Sequence, residues 1–260
     1  MEIIILPTPA EVGQFAARKV AQTISAKPAA VIGLATGSSP LEIYSALAAQ
    51  VRDGLLNTRQ VRGFALDEYV GLPREHPQSY ASVIHREVVE PVRLDSAQVQ
   101  VPDGRAADLE AACEAYEAAI RDAGGVDIQI LGIGGNGHIG FNEPTSSLRS
   151  RTRLKTLAPQ TRADNARFFD DPEQVPTHCV TQGLGTIMDA YQILLVAQGP
   201  GKAAAVAAAV EGPVTAMCPG SILQFHPHAT VIVDEAAAAQ LVLADYYRYT
   251  YANKPAWQRF

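Results

Sequence analysis

The chain has 260 residues, 47% of them hydrophobic and 18% charged, enough for a large folded core without disulfides or a structural metal. Its formal net charge of −6 argues against a general nucleic-acid or anionic-membrane partner, but leaves room for a small anionic ligand held by a local cluster of cations and N–H groups. Cys113, Cys179 and Cys218 form no CxxC or metal-like spacing, so they are expected to be reduced thiols in a cytoplasmic protein.

The N-terminal MEIIILPTPAEV lacks the basic region of a signal peptide, and no apolar run is long enough to span a bilayer. Glu2–Leu6 reads as a strand. Thr8, Pro9 and Glu11 then form a helix-start signal, and Val12, Phe15, Ala16, Val20 and Ile24 follow at helical spacing. The second strand, 29–35, is apolar throughout, as in a parallel sheet covered on both faces. It ends in Thr36, Gly37, Ser38 and Ser39, and a helix is expected from about Pro40. A strand, a hydroxyl- and glycine-rich turn and a helix suit an anion, because the first-turn N–H groups are free and the helix dipole is positive there. The same pattern also describes a plain capped turn.

A third strand, 61–66, runs into Asp67 and Glu68, an acidic pair at a strand end. Helices are expected over 79–89 and 106–121. The apolar run VDIQILGI then enters GGNGHIGFNEP, in which a glycine turn carries Asn136, His138, Asn142 and Glu143. Between 145 and 169 the chain concentrates Arg149, Arg151, Arg153, Lys155, Arg162 and Arg167. The segment 180–190 reads as a turn and short helix, 191–197 as a strand, and GPGK leads into a long alanine-rich helix ending near Glu211. A short helical stretch is expected over 221–225, the last core strand at 229–233, and a docked aromatic helix in the tail.

Strand and helix alternate throughout, with no linker or repeat. The expected fold is a single α/β domain over 1–260, a doubly wound, mostly parallel, Rossmann-like sheet with helices on both faces. Parallel strands share one C-terminal edge, so Thr36–Ser39, Asp67–Glu68 and Gly132–Glu143 can line one cleft. Gly132 to Gly137 matches GxGxxG in form. Pro144 cuts off the helix that a dinucleotide fingerprint needs, and no acidic strand end follows at the right distance, so a nucleotide cofactor is not expected. The six histidines show no zinc spacing and GxSxG is absent. Acid–base chemistry on a phosphorylated small molecule remains.

The blocks GLATGSSP, ALDEYVGLPREHPQSY, GIGGNGHIGFNEP, SRTRLKTL, NARFF and GKAAAVAAAVEG resemble the glucosamine-6-phosphate deaminases of the glucosamine/galactosamine-6-phosphate isomerase family, over about Val31 to His226. The resemblance implies conversion of D-glucosamine 6-phosphate and water to D-fructose 6-phosphate and ammonia, with no metal or organic cofactor. It implies that Asp67 removes the C2 proton, that His138 opens the sugar ring, and that Glu143 orients His138. Asn136 stands where some members carry aspartate. An amide can still hold the imidazole but adds no charge, so the pH profile is expected to differ.

The resemblance further places the substrate phosphate on Thr36, Gly37, Ser38, Ser39, Arg167 and Lys202, under a lid at about 153–182. It implies a homo-oligomer, a hexamer in some members, with N-acetylglucosamine 6-phosphate as an allosteric activator at Ser146, Arg153, Lys155 and Thr156. Tyr247 or Tyr249 is the candidate for a C-terminal tyrosine completing that site. A 6-phosphogluconolactonase, or a deaminase of an isomeric amino-sugar phosphate, is the nearest enzymatic alternative, and DEYVGLP speaks against the lactonase. A sugar-phosphate-sensing module is the alternative outside enzymes, and it would have no use for Asp67, His138 and Glu143 together.

Overall fold

The computed structural model describes residues 1–258; Arg259 and Phe260, at the end of the aromatic tail, lie outside the described residues. In chain order the elements are β1 (Glu2–Leu6), α1 (Pro9–Ala26), β2 (Val31–Leu34), α2 (Ser38–Arg52), β3 (Arg62–Ala65), β4 (Asp67–Tyr69), α3 (Tyr80–Ile84), α4 (Glu90–Val92) and β5 (Val99–Gln100). They continue with α5 (Leu109–Asp122), β6 (Ile128–Leu131), β7 (Arg153–Thr156), α6 (Pro159–Asn165), β8 (His178–Thr181) and α7 (Leu184–Met188). The last are β9 (Gln192–Ala197), α8 (Ala203–Val210), β10 (Ala229–Asp234) and α9 (Ala244–Ala252).

Seven strands form one parallel sheet in the order β1-β10-β9-β6-β2-β3-β5. Every residue of β2, β6 and β10 is buried, because helices cover both sheet faces. That is why these strands read as continuous apolar runs. The chain moves outward from β2 through β3 to β5, then returns to place β6 on the other side of β2. It continues outward through β9 to β10, which pairs with β1, the first strand of the chain, at the sheet edge. The winding reverses between β2 and β6, and a crevice opens there at the C-terminal strand ends. The loops that fill it are Thr36–Ser39 and Gly132–Glu143.

The helix signals act as the sequence predicts. Thr8 caps α1 by accepting from the Glu11 N–H at 3.3 Å, and its own hydroxyl donates to the Glu11 carboxylate at 2.8 Å. Such a cap contributes about 1 kcal/mol. The buried face of α1 includes Val12, Phe15, Ala16, Val20 and Ile24.

Several expectations need correction. A second, antiparallel sheet, β4-β8-β7, is not visible as such in the sequence. Asp67 and Glu68 not only follow β3 but also begin β4, and Asp67 lies opposite Thr181 of β8. The expected turn at Val180 is the end of strand β8, while α7 follows from Leu184. The helix over 79–89 is α-helical only to Ile84 and then widens into a π-helical turn over His85–Val89. The alanine-rich helix is short, Ala203–Val210. Among the described residues no helix is long and apolar enough to cross a membrane.

Candidate active site

The crevice between β2 and β6 receives the first anion-binding candidate. Backbone freedom matters at Gly37, whose φ of 95° favours glycine, since the chain must turn sharply from β2 into α2. Gly37 occupies the N-cap position with no side-chain cap, so the first N–H groups of α2 keep no side-chain acceptor there. Thr36 and Ser38 flank it, and the buried Ser39 accepts from the Gln198 amide through its carbonyl at 3.2 Å. The Thr36 hydroxyl bonds the buried Tyr80 phenol.

Lys202, just ahead of α8, reaches across to donate to the Ile133 carbonyl at 2.7 Å. Burial lowers its pKa, Asp164 opposes that shift, and the nearby Arg167 guanidinium adds to it. The segment between β7 and β8 therefore brings Arg167 over to Lys202. Two cations from segments distant in sequence thus come together beside the Gly132–Glu143 loop.

The second group sits on the loop after β6. The Asn136 amide donates to Glu143 Oε2 at 2.8 Å, and its carbonyl oxygen accepts from the His138 N–H at 3.2 Å. His138 Nδ1 stands 3.5 Å from the same Glu143 oxygen. The other Glu143 oxygen accepts from the Ala158 N–H at 3.1 Å, at the start of α6. Burial works to raise the Glu143 pKa, but donors from His138, Thr161, Asn136 and Ala158 outweigh it and bring the carboxyl down to about 2. Glu143 is therefore a fixed negative charge beside the imidazole. The ring packs flat over Gly134, where a Cβ would fall 2.2 Å from His138 Cε1, so this position tolerates only glycine without displacing the ring.

Asp67 forms the third group. It is 6% exposed, and its carboxyl is pushed up to about 8, first by burial and second by the neighbouring Glu68 charge. The Phe141 N–H and the Thr181 hydroxyl oppose that shift. Thr181 also joins this group to the histidine loop, because its hydroxyl accepts from the Phe141 N–H at 3.1 Å. A Cβ on Gly140 would lie 3.5 Å from Asp67 Oδ2, which sets the backbone of the Gly132–Glu143 loop directly against the carboxylate. A buried carboxyl of near-neutral pKa near a histidine set against the ionised Glu143 is suited to moving protons at two points of one small ligand.

An aromatic layer closes over Asp67. Tyr69, Phe141, Leu157 and Cys179 form a separate buried cluster, with Tyr80 and Phe169 packed against it. Asn165 of α6 donates to the Tyr69 hydroxyl at 2.9 Å. Below, the buried Glu117 carboxylate accepts from the Thr152 N–H at 2.8 Å, from the Thr152 and Thr186 hydroxyls and from Arg151. These bonds fix the entry to β7.

The candidate regulatory residues are separate in part. Arg153 donates to Asn142 Oδ1 at 2.8 Å, but its Nη2 has no partner, and neither does the buried Ser146 hydroxyl. Lys155 and Thr156 follow on β7, which is an edge strand. On α9, Tyr247 packs partly buried beside Glu211, and Tyr249 is exposed. The roles of Thr181, Glu68, Asn165 and Gly134 escape a reading by sequence. Val180 and Thr181, after the buried Cys179, are the weak β-forming signal of β8 in the sequence. Among the described residues no group of three or more His, Cys, Asp and Glu side chains could hold a metal ion.

Comparison with known proteins adds to this geometry. A family model described as glucosamine-6-phosphate isomerases/6-phosphogluconolactonase matches residues 8–233. A glucosamine-6-phosphate deaminase of Streptomyces coelicolor is 61% identical over 259 residues, covering 99% of both chains. One from Mycolicibacterium smegmatis is 60% identical over 259 residues, again covering 99% of each. A solved structure of a monomeric glucosamine-6-phosphate deaminase has a TM-score of 0.90 at 40% identity, covering 92% of this chain and 100% of its own. The 6-phosphogluconolactonase of Trypanosoma cruzi shares the fold, with a TM-score of 0.75 at 22% identity over 93% of this chain and 97% of its own. With a match over most of its length and relatives at this identity, the chain belongs to the glucosamine-6-phosphate isomerase/6-phosphogluconolactonase family.

Proposed function

We propose that the protein is a glucosamine-6-phosphate deaminase, converting D-glucosamine 6-phosphate and water to D-fructose 6-phosphate and ammonia. The carrying observation is the buried Asp67 carboxyl, pushed up to about 8, set against the loop that bears the His138–Glu143 pair. The phosphate rests on Thr36, Gly37, Ser38 and Ser39 at the uncapped start of α2, with Lys202 and Arg167 as counter-charges. Holding this remote group fixes the sugar for reaction.

His138 opens the ring by taking the proton of the anomeric hydroxyl and returning one to the ring oxygen. Glu143 supports the charge that His138 acquires, and Asn136 holds both in place. The open-chain aldehyde makes the C2 proton acidic. Asp67 removes that proton and delivers it to C1 while a proton of the substrate ammonium passes to O1, which leaves an alcohol at C1 and an iminium at C2. Water adds to C2, the nitrogen leaves as ammonia, and the ketose remains. An incoming substrate ammonium beside Asp67 favours its ionised, basic form. The segment 153–182 acts as a lid of the single domain, since Arg167, Asn165 and Phe169 all reach back onto the site from it.

The experiment is ammonia release from glucosamine 6-phosphate, with galactosamine 6-phosphate and 6-phosphogluconolactone run alongside. Stoichiometric ammonia and ketose from the first substrate support the reading. Lactone hydrolysis without ammonia refutes it.

A second reading concerns regulation, and the unpartnered buried Ser146 hydroxyl and Arg153 Nη2 favour it. Ser146, Arg153, Lys155 and Thr156 take the phosphate of N-acetylglucosamine 6-phosphate in a cytoplasmic homo-oligomer. Arg153 transmits its presence through Asn142 to the histidine loop. Sigmoidal kinetics that become hyperbolic with the acetylated sugar, and a particle mass above that of one chain, would support this. The structural neighbour at 40% identity is monomeric, so a monomer with hyperbolic kinetics throughout is the result that removes the reading.

A further inference from the structure

We propose that Glu68 is a positioning residue: its carboxylate docks α3 beside the site and places a second buried acidic group next to Asp67 in β4. The inference deepens the deaminase reading and rests on it. Asp67 and Glu68 are consecutive in β4, so their side chains leave opposite faces of the strand. Asp67 enters the cleft. Glu68 turns away into the start of α3 and is itself 6% exposed.

There Glu68 accepts three backbone N–H bonds. Oε1 takes Tyr69 and Tyr80, each at 2.8 Å, and Oε2 takes Ala81 at 2.9 Å. Three N–H donors converging on one carboxyl favour its ionised form. Ser79 already accepts from the Ser82 N–H at 3.1 Å and caps α3, so a second acidic acceptor at this helix start exceeds what capping requires. Burial raises the Glu68 pKa, and the three N–H donors, with Arg74 on the loop before α3, restrain that rise.

The other ionisable groups around Asp67 come from every neighbouring element. They are Tyr69 of β4, Tyr80 of α3, Tyr116 of α5 and Cys179 of β8. Burial raises all four, so they are neutral in the working range. His138 and Glu143 on the loop after β6 border the same cleft. Glu68 is thus the charged neighbour that adds to the effect of burial on Asp67, and the Phe141 N–H and the Thr181 hydroxyl oppose both.

A general base works best when its proton affinity matches the operating pH. Without Glu68, Asp67 would ionise earlier and pull less strongly on the C2 proton. The proposal therefore predicts two changes in Glu68→Gln together. The acid limb of kcat/KM moves to lower pH by roughly one unit. The plateau at high pH falls several-fold, because the base is weaker. The profiles of variant and parent cross. Gln keeps an oxygen for Tyr69 and Tyr80 but turns its NH2 toward the Ala81 N–H, so the thermal melt reads the structural cost at α3 and the position of the limb reads the charge. The substrate's own ionisations are common to both profiles.

The test measures kcat/KM for glucosamine 6-phosphate from pH 5.5 to pH 9 in both proteins, with thermal melts. Crossing profiles support the inference, and a limb that stays in place overturns it. The carboxyl carbons of Asp67 and Glu68, followed by NMR in the unsubstituted protein, provide a readout that needs neither activity nor the variant. Glu68 must ionise before Asp67, and the reverse order overturns the inference. If the unsubstituted protein releases no ammonia, the deaminase reading fails, while the order of ionisation still decides the coupling.

Discussion

Gly134→Ala places a single methyl group under the His138 ring. The added Cβ would fall 2.2 Å from Cε1, 2.4 Å from Nε2 and 2.5 Å from Nδ1, where ordinary contact begins at 3.4 Å. Three ring atoms are met at nearly equal distance, so the methyl points at the face of the imidazole. Rotation in the ring plane cannot relieve it, and the ring must lift by about 1 Å. Gly134 is not among the glycines with positive φ, so alanine brings no backbone strain and the effect is steric. The His138 side chain is 17% exposed and retreats into the cleft rather than the core. Stability should therefore change by less than about 1 kcal/mol. A displacement of that size at a reacting group costs on the order of 10²-fold in rate. The assay is kcat/KM for glucosamine 6-phosphate, with a thermal melt and the binding of an open-chain amino-polyol phosphate as controls. An open-chain analogue bypasses ring opening and should bind within about threefold of normal. Turnover within about threefold of the parent would refute the placement of His138 over Gly134 as the ring-opening geometry.

Three further outcomes follow from the same site. Asp67→Asn should lose about 10³-fold or more in kcat with KM little changed, since the amide keeps the shape but cannot take a proton; near-normal kcat removes Asp67 as the base. Glu143 has a folded pKa of about 2 against an ordinary 4.5, so its stabilisation is full above 4.5 and is lost as pH falls through 2. The full contribution is about 3 kcal/mol, with roughly 2 kcal/mol of it gone by pH 3; urea melts of Glu143→Gln should show a correspondingly flatter acid limb than the parent. Asn136→Asp would set a carboxylate oxygen where an amide now donates to Glu143 at 2.8 Å. Two carboxylates at that distance do not both ionise, so the pair should bind a proton towards neutral pH. A Glu143 carboxyl signal that still titrates near 2 in this variant would contradict the arrangement.

The parallel sheet was legible because β2, β6 and β10 are covered on both faces and so cannot alternate. The winding reversal between β2 and β6 was legible only as a shared edge, since strand order depends on which helices cross which face. The small sheet was harder. Its strands β4, β7 and β8 are three or four residues long, and β7 is polar at the edge, so they carry little periodic signal. Missing β8 meant missing Thr181, whose hydroxyl ties Asp67 to the histidine loop. Asn136, His138 and Glu143 could be named because they are close in sequence. Arg167 could be suspected from the cation-rich segment and Lys202 only from the family resemblance, and their approach required the fold-back of the segment after β7. Glu68 looked like half of an acidic pair, and only the start of α3 shows where its carboxylate goes.

The central claim is that one buried carboxylate takes the C2 proton and returns it to C1 before nitrogen leaves. The direct measurement is the reaction of glucosamine 6-phosphate in deuterium oxide, with the fructose 6-phosphate examined by NMR. The account predicts ammonia equal to ketose formed, hydrogen at C1 either transferred from C2 or exchanged with solvent on the carboxyl, and no solvent deuterium elsewhere on the carbon chain; Asp67→Asn should form neither product. Ammonia and ketose formed at undiminished rate by Asp67→Asn, or deuterium at C3 in the product, would contradict it.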